Sequence, residues 1–488
     1  MNPQKTTSSC LPRELRPLFP ALGETTESGK PCMYLDGPGG TQVPATVAAA
    51  IAETILTASA NRGASFITSQ RVDRIMTDAG ITCSRFLGVD QPERVVFGPN
   101  MTTLAFHLAD AIIPTLSPGD QIVVSRLDHD ANVSPWVHAA NRAGATVRFL
   151  DFCQRSITLL PETLGGLIGP KTKFVALTAA SNALGSLTPI KELIRAARTT
   201  KALVAVDGTH LAPHILPNVD EWDADFFFCS AYKFFGPHVG IMAAKRNILK
   251  SLKPAKVRPA PARLPDKWMT GTQNHEGIAG LDAALKYLAT LGDGPKDGLR
   301  NELARAYGKI AKHEECLMRV FVERLNHQKS WKLIGIPEPD PLRRVSTFAL
   351  RGPIPPKLAS ERLAAKGIFT YAGNFYALPQ ENQGRALVHT PNGVELISNV
   401  CRHRQAVMLK GRGNLISDRA AAGGNIVCPL HRWTYSPSGE LLGAPHFQQD
   451  PCLNLKNYKL QDWNGLLFED NGRDIAADLA GMGPASAL

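Results

Sequence analysis

The pattern of hydrophobic and polar positions divides the chain into two parts with different periodicities. Between about residues 31 and 385, short continuous apolar runs alternate with stretches of helical spacing such as Pro189 to Thr199. The clearest apolar runs are 121–124, 173–177, 202–206 and 225–229. Continuous apolar strands between helices are typical of a mostly parallel sheet that is covered on both faces. This part is therefore predicted to have an α/β fold.

Polar residues stand at the ends of three of these apolar runs. They are Ser125 to His129, Thr178 to Asn182, and Asp207. Ligands of open α/β sheets bind at the carboxyl ends of the strands, so we expect a ligand site at this edge of the sheet.

After residue 385 the apolar runs become short and rich in β-forming residues, and turn signals separate them. Pro391-Asn392-Gly393 and Ser438-Gly439 are the clearest of these turns. The pattern predicts an all-β domain over residues 386–488. Before it we expect a large domain at about 31–290 and a small α+β domain at about 291–385. Residues 1–30 are predicted to be a lead-in that is loosely ordered to about Gly29.

Composition narrows the function classes without choosing one. The 488 residues are enough for two or three domains with substantial cores. The formal charge of +11 is spread along the chain, with modest groups at 245–263 and 402–412. This spread favours acidic or phosphate-bearing ligands, or simply a solvated charged surface, over nucleic acid.

The cysteines and the apolar runs indicate a compartment. Nine cysteines, an odd number, argue against a disulfide framework and for a reducing environment. No apolar segment follows the N-terminal residues as in a signal peptide, and no run of eighteen apolar residues occurs. We expect a soluble, cytoplasmic protein without a membrane partner.

Two Cys and two His near the C-terminus have the spacing of a metal site. Cys401 and His403 form a C-x-H pair, and Cys428 and His431 form a C-x-x-H pair. Such residues can hold a two-iron cluster with thiolates on one iron and imidazoles on the other. They could instead hold zinc, which needs four tetrahedral N and S donors.

The residues around these ligands resemble the Rieske domain of ring-hydroxylating oxygenases, over Leu396 to Arg404 and Cys428 to Gly439. The resemblance implies a [2Fe-2S] cluster held by Cys401, His403, Cys428 and His431 on loops at hairpin tips. Respiratory Rieske proteins carry an extra cysteine beside each ligand pair, where this chain has Ala406 and Leu430. An oxygenase would continue into an oxygen-activating domain, so we expect an electron-transfer module that serves a separate reductase or oxygenase.

The first part of the chain has the residue types that bind an aldehyde cofactor. Such a cofactor needs an amine, a carboxylate that keeps the pyridine nitrogen protonated, and donors for a phosphate. Lys233 follows the apolar run 225–229 and precedes a Phe-Phe-Gly-Pro turn, while Asp207 ends the run before it. The sequence predicts that both meet at a pyridoxal phosphate site, although a strand-end Asp alone is more often a cap or an ion-pair partner.

Several motifs, in the right order, make residues 34 to 385 similar to the class V aminotransferase superfamily, in its cysteine desulfurase-like branch. The resemblance implies the fold type I of pyridoxal phosphate enzymes. The motifs are Tyr34 to Thr41, Phe97 to Thr103, Asp128 to Asn132, Ser181 to Gly185, Asp207 to His210, Ser230 to Gly236 and Gly271 to Asn274.

The resemblance also implies residue roles. Lys233 would be the Schiff-base lysine and general acid/base, and Asp207 would contact the pyridine nitrogen. Arg385 would clamp the substrate carboxylate, a task suited to a bidentate guanidinium. The remaining roles are ring stacking by His129, contact with the ring hydroxyl by Asn182 and His210, and phosphate binding by Thr102, Thr103 and Ser230. Thr272 would reach the phosphate of a neighbouring subunit, which implies a homodimer with shared sites.

One departure from the family concerns sulfur chemistry. Desulfurases carry a cysteine on a mobile loop, and Tyr376 stands at that position here. Sulfur transfer through a protein persulfide is therefore not expected, while carbon-sulfur cleavage through the cofactor stays open beside racemase and transaminase activities. We expect a pyridoxal phosphate enzyme that acts on an amino acid and carries a Rieske domain. The alternative is a Rieske electron-transfer protein whose first domain is a non-catalytic scaffold.

Overall fold

The computed structural model describes residues 13–153, 155–373, 385–390, 393–399, 401–402, 408–409, 424–428, 432–444, 453–463 and 466–470. These residues belong to two compact units, Met1–Ala377 and Leu378–Leu488. The boundary that the sequence predicts at 385/386 stays a prediction.

The first unit alternates strands and helices as the sequence predicts. Its described strands are β1 (Met33–Tyr34), β2 (Val95–Gly98), β3 (Gln121–Ser125), β4 (Thr146–Leu150), β5 (Thr172–Thr178), β6 (Leu203–Asp207), β7 (Phe226–Ser230), β8 (Gly240–Ala244), β9 (Lys332–Ile334), β10 (Ala349–Arg351) and β11 (Ile368–Phe369). Its described helices are α1 (Ala45–Thr57), α2 (Ile67–Leu87), α3 (Met101–Ile112), α4 (Ser134–Ala143), α5 (Pro161–Leu167), α6 (Ile190–Ala197), α7 (Val219–Trp222), α8 (Arg246–Ser251), α9 (His275–Thr290), α10 (Leu299–Asn326) and α11 (Pro356–Ala364).

A seven-stranded sheet forms the centre of this unit, in the order β2-β8-β7-β6-β5-β3-β4. The pairs from β7 to β4 are parallel, and β8 is antiparallel to both β7 and β2. The four apolar runs form β3, β5, β6 and β7, which confirms the mostly parallel sheet. Phe226, Phe227 and Phe228 are fully buried, as strands covered on both faces require.

Shorter elements complete the unit after the sheet. Strands β9 and β10 form an antiparallel pair, and β1 pairs in parallel with β11 near the end of the unit. The N-terminal strand β1 thus belongs with the small-domain elements rather than with the large sheet.

The segment before β1 contacts the main core through an aromatic residue. Phe19 is buried in the main core and meets the rings of Phe235 and Tyr287 edge-on, at centroid distances of 5.3 and 5.6 Å. Arg16 donates to the carbonyl of Leu22 at 2.8 Å. The loosely ordered lead-in stays a prediction, and Phe19 gives this segment one aromatic contact with the core.

The second unit is built from short antiparallel strands. They are β12 (Arg385–Thr390), β13 (Gly393–Ser398), β14 (Ile426–Val427), β15 (Thr434–Tyr435), β16 (Leu441–Gly443), β17 (Asn457–Tyr458), β18 (Leu460–Trp463) and β19 (Leu466–Glu469). The described sheets are β12-β13-β17, β14-β15-β16 and β18-β19.

Of the two predicted turns of this unit, the one at Ser438-Gly439 is confirmed. Thr390 pairs with Gly393 at the end of the β12-β13 ladder, while Pro391 and Asn392 of the other predicted turn lie outside the described residues. Gly439 has a φ of 89° and donates its N–H to the carbonyl of Ser436 at 2.9 Å in the turn between β15 and β16. Along the described ranges, no helix combines the length and the apolar character needed to cross a bilayer.

Candidate functional sites

A pocket lies at the carboxyl ends of four neighbouring strands of the large sheet. His129 follows β3, Asn182 follows β5, Asp207 ends β6, and Lys233 follows β7. Parallel strands bring these ends to one edge, so residues far apart in sequence share one cavity. Its lining residues are Asn100, Met101, Thr102, His129, Ala131, Thr178, Ala180, Asn182, Asp207, Thr209, His210, Ser230, Tyr232 and Lys233.

Lys233 lies in a single 3-10 turn, Ala231–Lys233, that follows β7 directly. Its side chain is 8% exposed, and its Nζ donates to the carbonyl of Pro38. Burial lowers the pKa of Lys233 to about 8, although the charge of Asp207 acts in the opposite direction. Because only the neutral amine is a nucleophile, this lowered pKa suits a lysine that bonds to an aldehyde near neutral pH.

Asp207 is a buried carboxyl group at the end of β6, and its Oδ1 accepts the N–H of Thr209 at 2.8 Å. Burial raises the pKa of Asp207, while the hydrogen bonds from Thr209 and the Lys233 ammonium act to lower it. A carboxylate in such surroundings gains most from a cationic N–H partner. The site fits a protonated pyridine nitrogen.

His129 presents a neutral ring to the same pocket. Its Nδ1 accepts the N–H of Ala131 at 3.0 Å, which leaves the proton of the neutral ring on Nε2. Burial and the charge of Lys233 lower the pKa of His129 to about 4. Below it, Asp128 is hydrogen bonded to Ser125 and accepts from Asn132 at 2.7 Å, which fixes the turn. A neutral, fixed imidazole fits stacking on a flat ring.

His210 closes another side of the pocket. Its Nε2 lies 2.8 Å from the Thr347 hydroxyl, which comes from the segment between β9 and β10. Burial, followed by His214 and Lys233, holds the pKa of His210 well below its usual range. The ring is therefore an uncharged hydrogen-bonding group at neutral pH, consistent with contact to a ring hydroxyl.

The N-terminus of α3 supplies the donors of an anion site. The Ser230 hydroxyl accepts the N–H of Met101 at 2.9 Å, and Asn100 caps the helix by accepting the N–H of Thr103 at 2.8 Å. Thr102 lines the pocket between them. Backbone N–H groups and the helix dipole favour a phosphate at this position.

Three other predicted site residues are not among the described residues that line the pocket. The Thr103 hydroxyl donates to Asn100 at 3.0 Å and does not line the pocket. Thr272 is exposed and lies outside the described pocket lining. Arg385 begins β12 of the second unit, and its side chain, like Tyr376, lies outside the described residues. The roles of these residues stay predictions.

Sequence reasoning missed Tyr232 as a pocket residue, although it stands in the motif around Lys233. Its ring lies under the lysine amine, with Nζ 4.9 Å from the ring centroid. Asn100, which caps α3, also lines the pocket, and this helix-cap position is the signal that could have identified it. Thr178, which the sequence placed at this edge as a strand-end residue, lines the pocket as well.

In the second unit, Cys401 and Cys428 are buried in one core cluster, with exposures of 0% and 1%. Cys428 lies between the paired strands β14 and β15, at a hairpin tip as predicted, and its N–H donates to the Trp433 carbonyl at 2.8 Å. Cys401 follows β13. The other two predicted ligands, His403 and His431, lie outside the described residues.

Tyr435 links the two cysteine loops. Its hydroxyl accepts the N–H of Arg402 at 3.1 Å and lies 3.6 Å from the Cys401 sulfur. Because a metal-bound thiolate has no proton, the phenol would donate to that sulfur. Asn399 holds the same loop closed through two 2.7 Å hydrogen bonds with the backbone of Leu409. Cys401 and Cys428 thus supply two buried thiols in one core cluster, the donor type that binds one iron of a Rieske [2Fe-2S] cluster.

Comparisons with known proteins agree with both units. The family model of class V aminotransferases matches residues 33–386, and that of the Rieske [2Fe-2S] domain matches residues 371–459. A probable cysteine desulfurase from Halalkalibacterium halodurans is 29% identical over 382 residues, 75% of this chain and 89% of the relative. The structure of the cysteine desulfurase CsdA from Escherichia coli matches with a TM-score of 0.63 and 24% identity, over 75% of this chain and 89% of that chain, which shows the fold.

A different relative matches a shorter part of the chain. A putrescine 2-hydroxylase from Ralstonia nicotianae is 59% identical over 116 residues, which are 24% of this chain. The chain spans only 29% of the length of that relative. The two family matches together show an enzyme whose cofactors are pyridoxal phosphate and a [2Fe-2S] cluster. The chain belongs to the class V aminotransferase family, in its cysteine desulfurase-like branch, and carries a Rieske domain at its C-terminal end.

Proposed function

We propose that this enzyme acts on a small amino acid, as a carbon-sulfur lyase or a related transferase that works without a protein persulfide, and that its Rieske domain transfers electrons. The observation that carries the first part is the pocket in which Lys233, Asp207 and His129 meet the N-terminus of α3. The cofactor, when bound, supplies an electron sink for bonds at the substrate α-carbon.

The chain's own residues bind the cofactor and move protons. Lys233 Nζ holds the aldehyde and then carries a proton to or from the substrate α-carbon, which its lowered pKa permits. Asp207 keeps a proton on the pyridine nitrogen, and His129 stacks on the ring. The other proposed contacts are Asn182 and His210 with the ring hydroxyl, Thr102, Thr103 and Ser230 with the phosphate, and Arg385 with the substrate carboxylate.

Partners and compartment belong to the same proposal. Thr272, exposed on the surface of one subunit, contacts the phosphate of a neighbouring subunit in a homodimer. In the Rieske domain, Cys401, His403, Cys428 and His431 would hold the cluster, which would supply single-electron exchange with a separate reductase or oxygenase. The described cysteines form no disulfide, which supports a reducing cytoplasm.

The similarity to a putrescine 2-hydroxylase supports a second candidate function. Because 116 residues of the chain are 59% identical to a putrescine 2-hydroxylase, the second candidate is a chain that delivers electrons to an oxygenase while its first unit is a non-catalytic scaffold. Two measurements on the anaerobically purified chain distinguish the enzyme from the electron carrier. Iron, sulfide and pyridoxal phosphate are quantified per chain, and turnover is measured with sulfur-containing amino acids as substrates. Turnover without an added oxygenase supports the enzyme, whereas an inert first unit with a redox-active cluster supports the carrier.

Asp207→Asn tests the pyridine-nitrogen contact. The amide cannot stabilise a cationic N–H as a carboxylate does, and hydrogen bonds to charged groups contribute about 1.5–3 kcal/mol. Turnover is expected to fall about 10- to 100-fold, measured as initial rates at saturating cofactor. Asp151→Asn, at an exposed ion pair with Arg126, is the control. An Asp207→Asn enzyme with the rate of the unsubstituted protein would contradict the assignment.

Tyr435→Phe tests the hydrogen bond to Cys401. Reduction adds negative charge to the cluster, so a donor to its sulfur stabilises the reduced form. If the difference between the two forms is about 1–2 kcal/mol, the reduction potential falls by about 40–90 mV for one electron. Potentiometric titration followed by electron paramagnetic resonance measures it. Tyr458→Phe is expected to leave the potential unchanged, and equal potentials for both variants would argue against the Tyr435 contact.

A further inference from the structure

The ring of Tyr232 is a flat surface directly beside the reactive amine. It lines the pocket, stacks on His238 with ring centroids 5.0 Å apart and an interplanar angle of 15°, and lies under Lys233 Nζ at 4.9 Å. An ammonium group within about 6 Å of a ring centroid is attracted by the negative face of the π-system. The contact is therefore close enough to act on the charge of Lys233.

The backbone holds this ring in place. The Tyr232 carbonyl accepts two hydrogen bonds from Thr41, one from its N–H at 2.9 Å and one from the Thr41 hydroxyl at 3.1 Å. Gly40 has a φ of 143°, and a Cβ at this position would come within 3.0 Å of the Tyr232 ring. Only glycine permits this approach, so the loop of Gly40 lies directly against Tyr232. The same loop carries Pro38, whose carbonyl accepts the hydrogen bond from the Lys233 amine.

Titratable groups from several segments face the buried amine of Lys233, besides the Pro38 carbonyl that accepts its hydrogen bond. Asp207 faces the amine from β6 and is the carboxylate that favours the protonated form. His129 and His210 face it from two further segments, and the pKa of each is lowered, so that both are neutral at neutral pH. Beside the Asp207 carboxylate and the Pro38 carbonyl, the aromatic face of Tyr232 is a further group able to stabilise the charge of the amine.

We propose that Tyr232 is a positioning residue whose ring face holds the Lys233 amine over the pocket and favours its protonated form. The inference rests on the proposed role of Lys233 as the cofactor-binding lysine. Tyr232 thereby raises the pH at which the amine becomes a nucleophile. Above that pH the amine is neutral and couples to an aldehyde, and below it the ammonium does not react.

The test measures the rate at which added pyridoxal 5′-phosphate couples to the full-length chain, with release of water, by absorbance between pH 6 and pH 10. Only the neutral amine reacts, so the midpoint of the rate profile reports the Lys233 titration. Tyr232→Leu removes the aromatic face, and its midpoint is expected to fall by about half a pH unit. Tyr232→Phe keeps the face, and its midpoint is expected to stay within about 0.2 unit of the unsubstituted protein.

A second series protects the test against misfolding of the leucine variant. Mono-, di- and trifluorinated phenylalanine at position 232 keep the shape of the ring while weakening its negative face, and the midpoint is expected to fall stepwise with fluorine number. Midpoints that do not change along this series would overturn the inference. Lys233→Ala separates the two proposals. Coupling that persists in this variant refutes the role of Lys233 itself. Coupling of the Tyr232 variants with an unchanged midpoint refutes only the role of Tyr232.

Discussion

Lys233→Ala is expected to abolish the covalent attachment of pyridoxal phosphate and to lower turnover by at least about a thousandfold. Nucleophilic attachment and proton transfer both depend on one amine, and a positioned general acid/base contributes about 10²–10⁴-fold on its own. Among the described side chains that line the pocket, Lys233 is the one that carries an amine. The measurement is the absorbance of the protein-bound cofactor before and after dialysis, together with initial rates.

The control for this variant is Lys250→Ala, which removes an exposed amine at the end of α8. Its absorbance and rate are expected to match those of the unsubstituted chain. Lys233→Ala protein that keeps the cofactor absorbance through dialysis would show that another amine forms the attachment, and the assignment of the pocket would be wrong.

Cys401→Ala is expected to remove the [2Fe-2S] cluster, with iron per chain falling below about a tenth of its normal value. Cys401 follows β13 and is fully buried. The hydrogen bond from the neighbouring Asn399 to Leu409 and the contact with the Tyr435 hydroxyl hold its loop. Alanine offers no donor, and ligand binding is coupled to folding in small metal domains. Iron and sulfide analysis with electron paramagnetic resonance of the reduced protein gives the result.

Cys153→Ala is the matched control, because Cys153 is a partly exposed cysteine of the first unit. Its iron content and spectrum are expected to stay unchanged. The Cys401→Ala chain is expected to keep its pyridoxal phosphate absorbance, since the proposed attachment site lies in the other unit. A full complement of iron in Cys401→Ala would exclude Cys401 as a ligand.

The sequence allowed the sheet and most of its site to be predicted because both depend on local patterns. Apolar runs that end in polar residues located β3, β5 and β6, and the polar residues at their ends line one pocket. Parallel topology then brings those ends together without any knowledge of side-chain packing. The hairpin tip at Cys428 followed equally from turn signals around short β-rich runs.

Contacts between distant segments could not be predicted in this way. Phe19 packs against Phe235 and Tyr287, and Tyr232 faces Gly40, across separations that no periodicity connects. The Tyr435 hydroxyl likewise meets the Cys401 sulfur over 34 positions. Such pairs depend on how whole elements pack, and a single sequence records the residues but not the packing.

The edge strand β2 has a consequence for biosynthesis. Its partner in the seven-stranded sheet is β8. Strand β2 ends at Gly98 and β8 ends at Ala244, so the two strands can pair fully only after the residues between these positions have been translated. At about 5–20 residues per second, that interval lasts roughly 7–30 s. During it the apolar residues Val95 to Phe97 lack their β8 partner. Chaperone occupancy of ribosome-bound nascent chains is therefore expected to peak while this interval is being synthesised and to fall once β8 has emerged.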